Sequence, residues 1–190
     1  MKKILYLTRH GQTIFNLKER MQGFCDAPLT ERGKKQAEIA KKYFIDNNIF
    51  FDKAYSSTSE RASDTLEIIT DMPYKRFKEL KEWHFGDIEG ESSYPLRNKV
   101  HGDFMVQFGG ESEDAVRERV TKKLIDIMED DVKSVLVVSH GAVCRVFANT
   151  FPGKVELGNV IIDNCSILKF EYEDGKFSLV EIITHDFSEI

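Results

Sequence analysis

The run Val135-Leu136-Val137-Val138 narrows most what this chain can fold into. Four consecutive apolar residues, three of them β-branched, stand between Ser134 and Ser139. The run does not alternate with polar residues, so a strand built from it must be covered on both faces. Strands of that kind belong to parallel sheets flanked by helices. A second short apolar run, Ile4-Leu5-Tyr6-Leu7, also reads as a buried strand.

Between and after these runs the periodicity predicts helices. Over residues 30–47, Ala37, Ala40 and Phe44 share a face and Thr30 is the N-cap. Residues 113–130 carry Val116, Val120, Leu124, Ile127 and Met128 on one stripe, with Ser112 as cap. Further helices are expected over 59–71 and 141–149, and extended segments over 53–56 and 74–80. Asp174-Gly175 between two alternating runs, 166–172 and 176–183, predicts a hairpin. The expected architecture is one α/β domain over residues 1–190. It is a sandwich with a mostly parallel central sheet, an antiparallel edge and helices on both faces. Residues 81–112 have no periodicity and hold five glycines, the pattern of a functional loop.

Two junctions attract chemical attention: Leu7-Thr8-Arg9-His10-Gly11 and Val138-Ser139-His140-Gly141. Each places a His-Gly pair directly after a buried strand, and open α/β sheets bind ligands outside the carboxyl ends of their strands. If the two strands are parallel neighbours, both imidazoles emerge at one edge. A lone histidine at a strand end is usually structural. Two in the same context, one preceded by Arg9, favour a site.

Composition sets the limits. With 41% hydrophobic residues and 14 Phe, the 190-residue chain can bury a core without disulfides or structural metals. A net charge of -5 argues against a nucleic-acid partner but allows a small basic pocket. Cys25, Cys144 and Cys165 are odd in number and widely spaced, which fits reduced thiols, Cys144 packing in its helix. The apolar run after Lys2-Lys3 stops at Thr8, short of a signal sequence. No stretch approaches the ~20 residues of a membrane span. The chain reads as cytoplasmic, with no membrane partner.

Ordered blocks along the chain then carry a resemblance. Arg9-His10-Gly11 is followed by Thr13 and Asn16. Next come Gly23, Asp26, Pro28-Leu29-Thr30 and Gly33 with Gln36-Ala37. Ser56-Ser57, Arg61-Ala62 and Thr65 follow, then Leu80, Glu82, Gly86 and Glu89-Gly90. Gly110-Glu111-Ser112 and Ser139-His140-Gly141 complete the set. This pattern resembles the histidine phosphatase superfamily, the group that includes cofactor-dependent phosphoglycerate mutases. The resemblance implies phosphoryl transfer through a phosphohistidine on His10, with Glu82 as proton donor and His140 donating a hydrogen bond to the transferring group. It implies phosphate contacts from Arg9 and Arg61, and lesser ones from Asn16, Gln22, Gly23 and Gly141.

The residue chemistry agrees. Phosphoryl transfer asks for positioning and positive charge. With no metal motif evident, that charge falls to the planar forks of Arg9 and Arg61. His10 must attack as a neutral ring, and neighbouring arginines disfavour its protonated form. A carbonyl such as that of Gly11 can hold one N–H and so select the attacking nitrogen. His84, His101 and His185 read as surface or loop residues, and capping and packing of the following helix explain Glu111 as well as catalysis does.

One departure separates phosphatase from mutase. Mutases of the family carry Arg and Tyr after the catalytic Glu, where this chain has Trp83 and Phe85. Arg97 is the only arginine between residues 83 and 116. An apolar cleft lined by Trp83 and Phe85 under a short lid, residues 83–112, suits hydrolysis of a small phosphomonoester. No metal or cofactor is expected, and a bisphosphoglycerate primer is needed only by the alternative, a mutase. A catalytically silent phosphate-binding module is the alternative of another class. A metal-dependent hydrolase lacks its HExxH-like pair here. The small phosphorylated substrate is not specified, and both monomer and homodimer fit.

Overall fold

The computed structural model describes residues 2–96 and 100–190. Among them, β1 (Lys3–Arg9), β2 (Lys53–Ser57), β3 (Tyr74–Phe77), β4 (Ser134–Ser139), β5 (Ile167–Glu173) and β6 (Lys176–Ile183) form one mixed sheet in the order β3-β2-β4-β1-β5-β6. The β3-β2-β4-β1 portion is parallel, while β5 and β6 add an antiparallel edge. The helices are α1 (Ile14–Leu17), α2 (Glu31–Asp46), α3 (Glu60–Ile69), α4 (Glu113–Met128) and α5 (Gly141–Thr150).

Strand alternation sorts the core into two layers. Leu5, Leu7, Val135 and Val137 join the cluster packed with Val116, Val120 and Leu124 of α4 and Val143 and Phe147 of α5. Tyr6, Leu136 and Val138 point the other way, toward Ala37, Ala40 and Phe44 of α2 and Ala62 and Leu66 of α3. Residues 135–138 are fully buried, as an uninterrupted apolar strand requires. Burying each such side chain stabilises the fold by about 1.5–3 kcal/mol.

Local signals explain most boundaries. The Thr30 hydroxyl accepts the Gly33 N–H at 2.9 Å and Ser112 accepts that of Ala115 at 3.1 Å. Asp174 and Gly175 both have positive φ, 50° and 76°, in a two-residue loop closed by the Glu173–Lys176 pair. That is the geometry whose twist matches the strands it joins. The expectation of extended chain to Leu80 is corrected: β3 ends at Phe77, and Lys78–Leu80 is a 3-10 turn. The turn drops Leu80 into the core, where its carbonyl accepts the Ser139 hydroxyl at 2.8 Å. The chain is thereby drawn from the sheet edge toward the end of β4.

The 81–112 segment contains short 3-10 turns at Gly86–Ile88, Tyr94–Leu96 and Phe104–Phe108. Backbone bonds tie it to the loop after α1: Met21 N–H to Glu91 O, Gly90 N–H to Met21 O and Ser93 N–H to Glu19 O. Gly86, at φ 64°, leaves no room for a side chain, because a Cβ would lie 1.8 Å from the Phe108 carbonyl. Arg97 lies outside the described residues.

Candidate active site

The sheet register places the two histidines. β1 and β4 are parallel neighbours with Arg9 opposite Ser139, so His10 and His140 leave at one edge. The His10 N–H donates to the Ser139 carbonyl at 3.0 Å, and the two ring centroids stand 5.2 Å apart. Gly11 lets the loop after β1 touch α2, since a Cβ there would lie 2.4 Å from the Gly33 carbonyl.

His10 is buried, and its hydrogen bonds fix its tautomer. Nδ1 lies 2.8 Å from the Gly11 carbonyl, which can only accept, so Nδ1 carries the proton. Nε2 therefore bears the lone pair, and Arg61 Nε donates to it at 3.3 Å. Burial lowers the His10 pKa well below its ordinary 6.5, and the charges of Arg61 and then Arg9 lower it further. The ring is neutral at neutral pH, with the lone pair on Nε2. The sequence reading credited the arginines, but burial is the larger cause.

Arg61 is fully buried on α3 and held from three sides. Its Nη1 donates to Asp26 Oδ1 at 2.8 Å and to the Cys25 carbonyl at 3.0 Å, and Nη2 to the Gly23 carbonyl at 2.9 Å. Asp26 and Gly23 thus orient the guanidinium. Among the described residues Arg9 is anchored by one bond, Nη1 to the Ile162 carbonyl at 2.6 Å, while its buried Nε has no partner. Both ring nitrogens of the fully buried His140 also lack a partner among the described residues, and so does the buried Nε2 of Gln22. His140 is kept neutral by burial first and by Arg61 next. Gln22 Oε1 accepts the Thr13 hydroxyl at 2.7 Å, which turns its amide N–H₂ the other way. Unsatisfied buried donors are costly unless something fills them. These lie around His10, where an anion with several acceptor oxygens would satisfy them.

Glu82 approaches from the loop side. Its Oε1 accepts the N–H groups of Trp83 at 2.9 Å and Val143 at 3.1 Å, and Oε2 that of Ala142 at 3.1 Å. Its carboxyl group sits on the first turn of α5, where free N–H groups and the helix dipole favour an acidic side chain. Because α5 begins one residue after His140, the same turn positions both groups.

Arg9, His10, Asn16, Gln22, Glu82 and Gly141 together line a cleft of about 580 Å³. Arg61, His140 and Gly23 stand behind that lining, with Arg61 reaching it through His10. One expectation is corrected. Trp83 does not line the cleft; it is 1% exposed, and its indole N–H donates to the Glu111 carbonyl at 2.7 Å. The indole bond to Glu111 turns Trp83 into the core, while the Ala142 and Val143 N–H groups hold the Glu82 carboxyl group at the cleft. Phe85 does reach the cleft wall.

Other contributors were not singled out from sequence. Asn164 Nδ2 donates to the His10 carbonyl at 3.0 Å and to Asn16 Oδ1 at 3.1 Å. Arg20 and Arg145 line the cleft as well. Each donates to a backbone carbonyl, Arg20 to Gly90 at 2.6 Å and Arg145 to Val160 at 2.7 Å. Neither has a carboxylate partner within ion-pair distance among the described residues. Arg145 could have been found, since it follows Gly141 by one helical turn on the same face. The wall is therefore mixed, apolar at Phe85 and Ile161 and cationic at these two positions, rather than simply apolar. Among the described residues no group of three or more His, Cys, Asp or Glu is arranged to hold a metal ion.

The comparisons with known proteins follow this geometry. The model of the histidine phosphatase superfamily (branch 1) matches residues 5–184. A 2,3-bisphosphoglycerate-dependent phosphoglycerate mutase 2 of Gloeobacter violaceus is 31% identical, over 93% of this chain and 90% of its own. A broad-specificity phosphatase of Saccharomyces cerevisiae is 27% identical, over 93% of this chain and 83% of its own. The crystal structure of phosphoglycerate mutase from Bacillus anthracis superposes with a TM-score of 0.80 at 27% identity, covering 95% of this chain and 92% of that one.

Proposed function

This chain belongs to the histidine phosphatase superfamily (branch 1), and on that premise we propose that it hydrolyses small phosphomonoesters through a phosphohistidine on His10. The observation that carries the reading is the neutral His10 ring, its Nε2 lone pair beside Arg61 and surrounded by unpartnered buried donors of Arg9, Gln22 and His140. In the first step Nε2 attacks phosphorus and the ester P–O bond breaks. The Glu82 carboxylic acid gives its proton to the leaving alkoxide, and Arg9, Arg61 and His140 meet the charge on the equatorial oxygens. In the second step Glu82, now a carboxylate, takes a proton from water as its oxygen attacks the phosphorus. The N–P bond breaks, and inorganic phosphate and free His10 result.

A specific observation favours the second reading, a phosphoglycerate mutase primed by bisphosphoglycerate. Arg20 and Arg145 offer the cleft two cations with no acidic partner among the described residues, of the kind a glycerate carboxylate would use. The phosphatase reading is supported by Phe85 on the wall and by the likeness to the yeast phosphatase.

The test assays wild type and His10→Ala in EDTA on a panel of phosphomonoesters, and assays 3-phosphoglycerate with primer for isomerisation. Phosphate release by wild type that is lost in His10→Ala, on the order of 10⁴-fold or more, is the expected result. Isomerisation with little release would replace this reading with the mutase; metal-dependent turnover or none at all would remove both.

A further inference from the structure

Arg119 lies mid-way along α4, seven residues after its N-cap Ser112, on a helix whose charged residues otherwise read as a solvated face. Its five N–H donors are all engaged. Nε and Nη2 grip the two oxygens of Glu111 at 2.7 and 2.8 Å. Nη1 donates to the carbonyls of Glu79 and Lys81, both at 2.7 Å, and Nη2 to that of Glu82 at 2.9 Å. Glu111 completes the bracket from the other side. Its Oε2 accepts the His84 N–H at 2.9 Å, its carbonyl accepts the Trp83 indole at 2.7 Å, and its own N–H donates to the His84 carbonyl. Every residue from Lys81 to His84 is thus fixed by this pair, through its backbone or, for Trp83, its side chain. None of these bonds involves the Glu82 carboxyl group itself.

We propose that the Arg119–Glu111 pair is a positioning device for the Glu82 proton donor, setting the efficiency of leaving-group protonation without touching the substrate. The physical argument is one of hydrogen-bond supply. Apart from the Lys81-to-Lys78 bond of the short turn, the described residues from Lys78 to Phe85 have no sheet or helix ladder to satisfy their carbonyls. One planar fork saturates three of those carbonyls and a carboxylate at once, which a lysine cannot do. The geometry constrains the backbone on either side of Glu82, and a displacement of about 1 Å in a reacting group costs on the order of 10²-fold in rate.

This inference rests on Glu82 being the proton donor, and the experiment separates the two. The kcat/KM values, which report transfer to His10, are measured for n-propyl phosphate, whose alkoxide must be protonated, and for p-nitrophenyl phosphate, whose leaving group scarcely needs it. Arg119→Lys is expected to lose about 10²-fold on the alkyl ester and about threefold on the aryl ester. Glu111→Gln, which keeps the shape and serves if Arg119→Lys does not fold, is expected to show the same selectivity at about tenfold. Combined with Glu82→Gln, neither change should add more than about twofold on the alkyl ester. Equal losses on both esters, or an additive double variant, with Glu82→Gln itself selective, would overturn the positioning role alone. A Glu82→Gln enzyme that shows no leaving-group selectivity would overturn the proton-donor reading and this inference with it.

Discussion

The two halves of the cleft are built by different means. His10 and His140 stand at the ends of β1 and β4, whose parallel register is fixed by ladder hydrogen bonds and fully buried side chains. Glu82 stands on a segment with no ladder, held by side-chain clamps: Arg119 and Glu111 on one flank and Glu89 on the other. Glu89 receives the N–H groups of Phe24, Cys25 and Phe85 at 2.8, 2.5 and 3.1 Å. Burial pushes the Glu89 carboxyl up, but these bonds more than offset it and hold it below its ordinary value. The difference teaches that the histidine side of the cleft inherits the sheet's rigidity, while the placement of Glu82, the proposed proton donor, depends on a few long polar side chains.

The largest expected effect tests the sheet side. Arg61→Ala should lower kcat/KM about 10³-fold, equally for alkyl and aryl phosphates, since it removes charge from the phosphoryl group and not from the leaving group. A loss confined to alkyl esters would break the comparison. Gly23→Ala strikes the seam between the halves, because its Cβ would lie 2.4 Å from Glu89 Oε1 and 2.5 Å from the Trp83 carbonyl. Urea melts should show destabilisation of about 1–3 kcal/mol; an unchanged midpoint would mean that the loops flex independently.

Next comes a pH dependence of definite sign. His10 and His140 are both buried, with pKa values held below the ordinary 6.5. Above that value both states carry neutral rings and the stability is fully present. As pH falls below 6.5, the unfolded chain takes up protons that the folded site refuses, so stability declines until the folded pKa values are passed. The slope should reach at most about 1.4 kcal/mol per pH unit per histidine, and His140→Asn should roughly halve the part that His10 and His140 contribute. A flat profile between about pH 7 and 5 would show that the sheet side is more hydrated than its burial indicates. The smallest effect probes the cleft wall: Arg145→Ala should raise KM a few-fold for phosphates bearing a second anion and leave p-nitrophenyl phosphate nearly unaffected. Equal effects on both would remove Arg145 from substrate selection.

Sequence and structure agree where the signal is local and periodic. The uninterrupted Val135–Val138 run, the α4 stripe and the Asp174-Gly175 turn each carry their conformation in adjacent residues, and the two His-Gly junctions followed from them. What escaped depends on partners distant in sequence. Trp83 is expected in the cleft because it stands where mutases of the family carry an Arg, yet its direction is set by a carbonyl 28 residues away. Arg119 resembles any solvated helix cation until Glu79, Lys81 and Glu82 are folded against it. Arg20 and Arg145 lie outside the 83–112 segment and in no block of the family pattern, and only folding brings both ends of the chain to the cleft wall. Asp26 fell in a recognised block, but its service to Arg61 is visible only in space.

The placement of β1 has a consequence for biosynthesis. Its neighbours are residues 134–139 on one side and 167–172 on the other, so it leaves the ribosome long before either partner exists. Closing such long loops is entropically slow, and a topology rich in them folds late. His10, the proposed nucleophile, is therefore made early and set in place last, and a nascent chain ending before β4 should show none of the proposed phosphatase activity.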